Sequence, residues 1–236
     1  CMEYDAVKEQ DICRMVPVFG LCRIRYRNIK CDADKDKQSQ SMRNVDYKSR
    51  EIIEIIADVV KETAIGCTLS VIDYKGNCQS VECPPINYTF GNAQYVKDRL
   101  DELSKTPEGN DLKFPLIALF CPFSEKRDSP DYYSMAKVNI LIACSTRREW
   151  SNEQRRETSF ENVLRPIYRR FLESLINDGR FDFGYDECIV HDYSENYSYG
   201  RYGARTGTGD AVSEPIDAIN ISNLELKVKQ PNCNEQ

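Results

Sequence analysis

Lys113–Phe123 reads KFPLIALFCPF, Ala136–Trp150 reads AKVNILIACSTRREW, and Ser151–Ile176 reads SNEQRRETSFENVLRPIYRRFLESLI. These three runs decide the fold. Leu116–Phe120 and Val138–Cys144 are short, largely apolar and bounded by Pro or charge, the pattern of strands buried on both faces. Pro115 opens the first run, where a missing amide donor does least harm to a ladder. The third run predicts an amphipathic helix. Phe160, Val163, Leu164, Ile167, Phe171, Leu172, Leu175 and Ile176 recur at the three/four spacing of one buried stripe. Ser151 and Gln154 supply a capping box at its start. Pro166 falls inside the stripe, so a kink is expected there, with the carbonyl four residues back released. A strand–strand–helix unit of this kind supplies most of a core.

Outward from that unit, Ile52, Ile53, Ile56, Val59 and Val60 form the stripe of a helix expected over Asp46–Thr63, with Gly66 as its stop. Cys67–Cys83 (CTLSVIDYKGNCQSVEC) alternates on either side of Tyr-Lys-Gly-Asn, a hairpin signal. Tyr95, Val96, Leu100 and Leu103 predict a short helix crossing one face of the sheet, followed by a loop rich in Pro, Gly and Asn. Ser124–Ser134 (SEKRDSPDYYS) reads as a charged, exposed loop between the two central strands. Farther on, Cys188–Tyr193 predicts a strand and Tyr197–Asp210 a long loop of Tyr and Gly. In Ala218–Val228 the alternation shifts phase once, at Ser222–Asn223, as a β-bulge makes it do.

The chain of 236 residues divides by composition into an N-terminal arm and linker (1–41), a core domain (42–229) and a polar tail (230–236). In the arm, Leu21–Tyr26 suits a strand with Arg23, Arg25 and Arg27 on one face. Asp32–Ser41 has linker composition. Two uses of the arm stay open: a solvated basic face, or a strand added to a neighbouring sheet.

A formal net charge of −6 argues against a protein whose main task is gripping nucleic acid, and suits a surface that DNA passes without sticking. No apolar run approaches the roughly 18–20 residues that span a bilayer, so no membrane partner is expected. Cys1–Gln10 shows neither the basic nor the apolar region of a signal peptide. The cysteines number eleven, and Cys67, Cys121 and Cys144 lie inside apolar runs, where they read as small buried hydrophobes in a reducing compartment. Cys13, Cys22 and Cys31 match no zinc spacing, and Cys78 with Cys83 lacks a second pair. No metal and no cofactor are expected.

Candidate chemistry is sparse. His191-Asp192 has the form of a general base with an orienting carboxylate, but no strained nucleophile turn surrounds any Cys, so a structural histidine is the expectation. Gly203, Gly207 and Gly209 lack the spacing, the Lys and the following helix of a phosphate loop. Asp128, Asp131, Asp182 and Asp186 lack calcium-loop spacing. No catalytic residue is assigned. Trp150, the single tryptophan, stands beside Arg147 and Arg148 and suits an interface with an acidic neighbour.

Five segments together carry a family resemblance: EIIEIIADVV (Glu51–Val60), FPLIALFCPF, VNILIACST followed by WSNEQR, SFENVLRPIY and the closing IDAINISNLELKV (Ile216–Val228). From about Met42 to Val228 the chain resembles the tail terminator (tail completion, head–tail joining) proteins of tailed bacteriophages. The likeness is closest to versions from phages of gut Bacteroidetes, including the neck ring proteins of crAss-like phages. The first 41 residues have no counterpart there, and Tyr199-Gly200 and Tyr202-Gly203 stand where such proteins often carry an aromatic-glycine motif.

The resemblance implies an α/β (α+β) fold, a mixed or antiparallel sheet of about four to six strands with two or three packed helices. It implies a non-enzymatic virion protein that closes head-to-tail into a ring of six or twelve copies in the neck or at the top of the tail, assembled in the bacterial host cytoplasm. Its neighbours are then portal, adaptor or neck ring proteins and tail proteins, with DNA passing through. The expected contact residues are Arg23, Arg25 and Arg27 of the arm; Lys126, Arg127 and Tyr132 of the charged loop; Arg147, Arg148 and Trp150; and Tyr199 and Tyr202. The alternatives are a small Cys/His-dependent enzyme using His191, or a nucleic-acid-binding module using Arg23–Arg27.

Overall fold

A computed structural model describes residues 51–72, 78–127, 132–201 and 215–229. The readings made above for the arm (with Arg23, Arg25 and Arg27), for the hairpin turn at 73–77, for Tyr202 and for the tail lie outside those residues. In chain order the elements are α1 (Ile52–Ile65), β1 (Thr68–Ile72), β2 (Cys78–Glu82), β3 (Asn87–Gly91), α2 (Ala93–Leu103) and α3 (Pro107–Leu112). Then come β4 (Leu116–Lys126), β5 (Tyr132–Ser145), α4 (Asn152–Arg155), a π-helical stretch (Arg156–Leu164), α5 (Arg165–Asn177), β6 (Asp192–Arg201) and β7 (Pro215–Lys229).

The fold is α+β. A five-stranded mixed sheet runs β3-β4-β5-β7-β6, and β1 and β2 form a separate antiparallel hairpin. β3 lies parallel to β4; every other neighbouring pair is antiparallel. Alternation sorts the central strands onto two faces. Ile117, Leu119, Val138, Ile140, Ile142, Ile219 and Ile221 meet α1, the π-helical stretch and α5 in the larger core. Leu116, Ala118, Leu141, Ala143, Ile216 and Ala218 meet Val96 and Leu100 of α2 in the smaller one. The centres of β4 and β5 are therefore buried on both faces, as their apolar runs predict. The small residues Ala118, Ala143 and Ala218 on the second face let the short helix α2 approach the sheet.

The predicted bulge in β7 is present. Val138 pairs with Leu224 and Ile140 with Ile221, so Ser222 and Asn223 together oppose Asn139. Asn223 adopts φ 55°, and its amide donates to Asn139 Oδ1 at 3.0 Å. A second irregularity explains why β4 outruns its apolar stretch. Phe120 pairs with Asn139 and Ser124 with Lys137, so the residues around Pro122, which has no amide donor, bulge out and pairing resumes beyond them. Both strands continue into the loop expected over Ser124–Ser134, β4 as far as Lys126 and β5 from Tyr132.

The capping box forms as expected: the Gln154 amide donates to Ser151 Oγ, and the Ser151 amide donates to Gln154 Oε1 at 2.9 Å. The turns before Pro166 are widened, with the Arg165 amide reaching the Phe160 carbonyl, and Pro166 opens α5 where a missing donor costs little. In α1 the stripe includes Ile55, fully buried, whereas Ile53 is only half-buried. Tyr95 of α2 is exposed, because Val96 and Leu100 already fill the contact with the sheet.

Two strand expectations shift. The strand predicted at Cys188–Tyr193 begins only at Asp192, and it then runs through Tyr197–Arg201, which was expected to be loop. The cause is pairing: Asp192–Asn196 ladder against Ala218–Ser222, and Tyr suits a half-exposed strand. α3 lies where a loop was expected, and β3 is a strand for which no expectation stood. Among the described residues, Cys67, Cys121 and Cys188 are free thiols, whereas Cys83 is disulfide-bonded, which departs from the reading of a reducing compartment.

Candidate functional site

Among the described residues, a buried polar cluster surrounds Asp217, an acid in the otherwise apolar start of β7. It shares a face with Ile219 and Ile221, so the carboxylate projects beneath the helical layer. Its Oδ1 accepts from Arg155 Nη1 at 3.0 Å and from the Ser198 amide at 2.8 Å; its Oδ2 accepts from Ser159 Oγ at 2.8 Å. Arg155 spends its other donors on the Ser198 hydroxyl, the Arg147 carbonyl and the Trp150 carbonyl. One guanidinium thus ties the capped helix start, the 146–151 loop, β7 and β6 together. Ser198 sits at φ 56° in the irregular part of β6, between Asn196 and Gly200, and there its amide turns inward to the carboxylate.

This clamp presents part of the predicted surface. Arg147 lies over the Trp150 ring at 5.3 Å, Arg148 is exposed, and Tyr199 is 40% exposed one residue beyond the clamp. The remaining predicted residues lie elsewhere. Lys126 and Arg127 are exposed at the end of β4, and Arg127 pairs with Glu51 and Glu125 while facing the Tyr133 ring. Tyr132 is not a free contact residue. Its hydroxyl donates to Asp182 at 2.7 Å, and that bond holds the Asp182 carboxyl below the usual range. Tyr132 and Ser145 are the two ends of β5, whose 14 residues span about 45 Å at roughly 3.3 Å per residue. The predicted residues therefore form two patches at opposite ends of the strands, not one surface.

A third exposed region is β6 itself, whose second half was expected as loop. Tyr193, Glu195 and Tyr197 fall on the helix face and close against the long helix in succession. Tyr168 meets Tyr193 at 4.9 Å, Arg165 forks onto Glu195 at 2.7 and 3.0 Å, and Tyr197 stacks on Phe160 at 4.4 Å. The Arg165 hydrogen bond holds the Glu195 carboxyl below its ordinary value, and burial pushes the Tyr193 hydroxyl well up. Beyond this fastening, Tyr193 and Val190 remain 43% and 59% exposed. Alternation of Tyr with polar residues over Asp192–Tyr199 was the available signal.

His191 is built into the same border. Its Nδ1 faces the Ile189 carbonyl at 3.0 Å and its Nε2 faces the Tyr168 hydroxyl at 2.8 Å, so the ring donates to the former and accepts from the latter. Asp192, the proposed orienter, bonds Asn223 instead. Burial pushes the Cys67 thiol up to about 11 and raises that of Cys121, the opposite of nucleophile activation. Among the described residues, no group of three or more His, Cys, Asp or Glu is placed to hold a metal ion. Nor is any described helix long and apolar enough to cross a membrane.

No family model matches the chain, and no curated protein does. The residues themselves carry the functional reading. What they offer is three exposed regions on a rigid frame: the 146–151 loop, the end of the β4–β5 hairpin, and the β6 edge.

Proposed function

We propose that this protein is a ring-forming connector subunit of a tailed-phage virion, placed in the neck or at the top of the tail. The observation that carries the reading is the layout of the sheet. It ends in two unlike strands, β3 and β6, and neither has an outer partner among the described residues. A closed ring of identical subunits needs two different surfaces on each copy, one complementary to the other. The 146–151 loop and the hairpin end, at opposite ends of the strands, suit contacts with the rings above and below. The segment resemblance to tail terminator proteins and the net charge of −6, which suits passage of DNA, support the same reading.

The test is the mass of the purified full-length chain under native conditions, with negative-stain imaging of the same sample. The reading expects a closed multimer with a central opening, and the polypeptide as a component of intact particles. A sample that stays monomeric at all concentrations, or a chain missing from particles, refutes it.

A further inference from the structure

The edges of the main sheet match each other. β3 is a regular strand of five residues, Asn87–Gly91. In β6 the regular ladder also spans five, Asp192–Asn196, before the register breaks. Phe90 is in register with Leu119, and Tyr193 with Ile221, so both aromatic side chains project on the helix face. Both are exposed, Phe90 at 45% and Tyr193 at 43%. At each edge a second exposed apolar side chain stands nearby: Tyr95, whose ring lies against Gly91, and Val190. An open strand carrying aromatics, with neither Lys nor Pro to blunt it, is a template for pairing with another strand.

We infer that β6 of one copy pairs with β3 of the next, so that the five-stranded sheets join through the ring and Phe90 packs against Tyr193 across the seam. This rests on the ring reading above and names its lateral contact. Charge favours this pairing over β6 with itself. β3 carries no charged residue, whereas a β6–β6 seam brings two copies of Asp192 to one face of the joined sheet and two copies of Glu195 to the other. The carboxylates of β6 are already satisfied within the subunit, by Asn223 and Arg165 respectively, so a neutral neighbouring strand leaves them undisturbed. Backbone hydrogen bonds along the seam supply the affinity, and the aromatic pair sets the register.

The experiment uses full-length chain with the photocrosslinker benzoylphenylalanine in place of Phe90, and a second preparation with it in place of Tyr193. Each is mixed with isotopically heavy chain, irradiated and mapped by mass spectrometry, with native mass measured alongside. The expected result is light–heavy crosslinks from position 90 into Asp192–Asn196 and from position 193 into Asn87–Gly91. Crosslinks from position 193 to β6 of another copy establish a two-fold seam and overturn the proposal. A multimer with no crosslink between these strands overturns it while leaving the ring reading intact. A monomer with only light–light products removes both.

Discussion

Replacing Asp217 by Asn removes the charge on which the buried polar cluster is centred, while keeping its shape. Asp217 is 0% exposed and its partner Arg155 is 5% exposed, so neither gains much from water. The carboxylate accepts three hydrogen bonds, from Arg155, Ser159 and the Ser198 amide. An Asn keeps one acceptor oxygen, turns its amide toward a donor, and leaves the guanidinium without a counter-charge. Breaking a buried pair from one side costs about 3–5 kcal/mol. At roughly 2–4 °C per kcal/mol, this lowers the melting temperature by about 6–20 °C. Denaturant unfolding followed by the fluorescence of Trp150, the single tryptophan, reads the loss, with circular dichroism as a second probe. The same fluorescence reports the native loop, because Arg155 holds the Trp150 carbonyl. Replacing both members, Arg155→Met with Asp217→Leu, strands no charge. Ser159 and the Ser198 amide still lose an acceptor, so this double variant should recover at least about 1 kcal/mol relative to either single change. A loss below about 1 kcal/mol for Asp217→Asn, with an unchanged emission maximum, refutes the reasoning.

Three further outcomes follow from the packing. Ile55→Ala should cost about 2–5 kcal/mol and Ile53→Ala clearly less, since Ile55 is fully buried and Ile53 is not; equal costs in denaturant unfolding contradict the observed helix face. Gly91→Ala should destabilise by about 1–3 kcal/mol, because φ is 142° and a Cβ meets the Tyr95 ring at 2.8 Å; adding Tyr95→Ala should relieve the clash but not the backbone strain. The Arg165–Glu195 fork should contribute about 0.5–1 kcal/mol at neutral pH. Glu195 titrates below its ordinary value in the folded state, so that contribution is complete above the unfolded carboxylate range and fades as pH falls through the lowered folded value. Arg165→Ala should therefore destabilise at pH 7 and converge on the parent in acid; a pH-independent difference contradicts the pairing.

The central strands, the capped helix and the β7 bulge were legible because local pattern and tertiary demand agree there. Leu116–Leu119 and Ile140–Cys144 are apolar on both faces because both faces are covered. Ser222–Asn223 announced its bulge by a phase change that only a one-residue insertion produces. β3 was not legible. Asn87–Gly91 is short and polar at one end, and its strand state comes from lying parallel to β4, a contact that no window of sequence contains. The same holds for Tyr197–Arg201, whose Tyr and Gly content suggested loop, whereas Gly200 and Arg201 resume the ladder with β7 beyond the register break. Asp217 could have been noticed as a lone charge at an inward position of an alternating strand, but its partners lie 62 and 58 residues away in sequence. The contact residues were chosen for exposure-prone composition. That criterion picked out the exposed Arg127 and Arg148 and the half-buried Trp150, but also Tyr132, whose hydroxyl is committed to Asp182.

The central claim is that identical copies close laterally around an axis. Native mass measurement of the purified full-length chain tests it most directly. The account predicts one dominant multimer of fixed copy number, unchanged on moderate dilution. A single-copy mass at every concentration, or an open ladder of sizes with no preferred member, contradicts it.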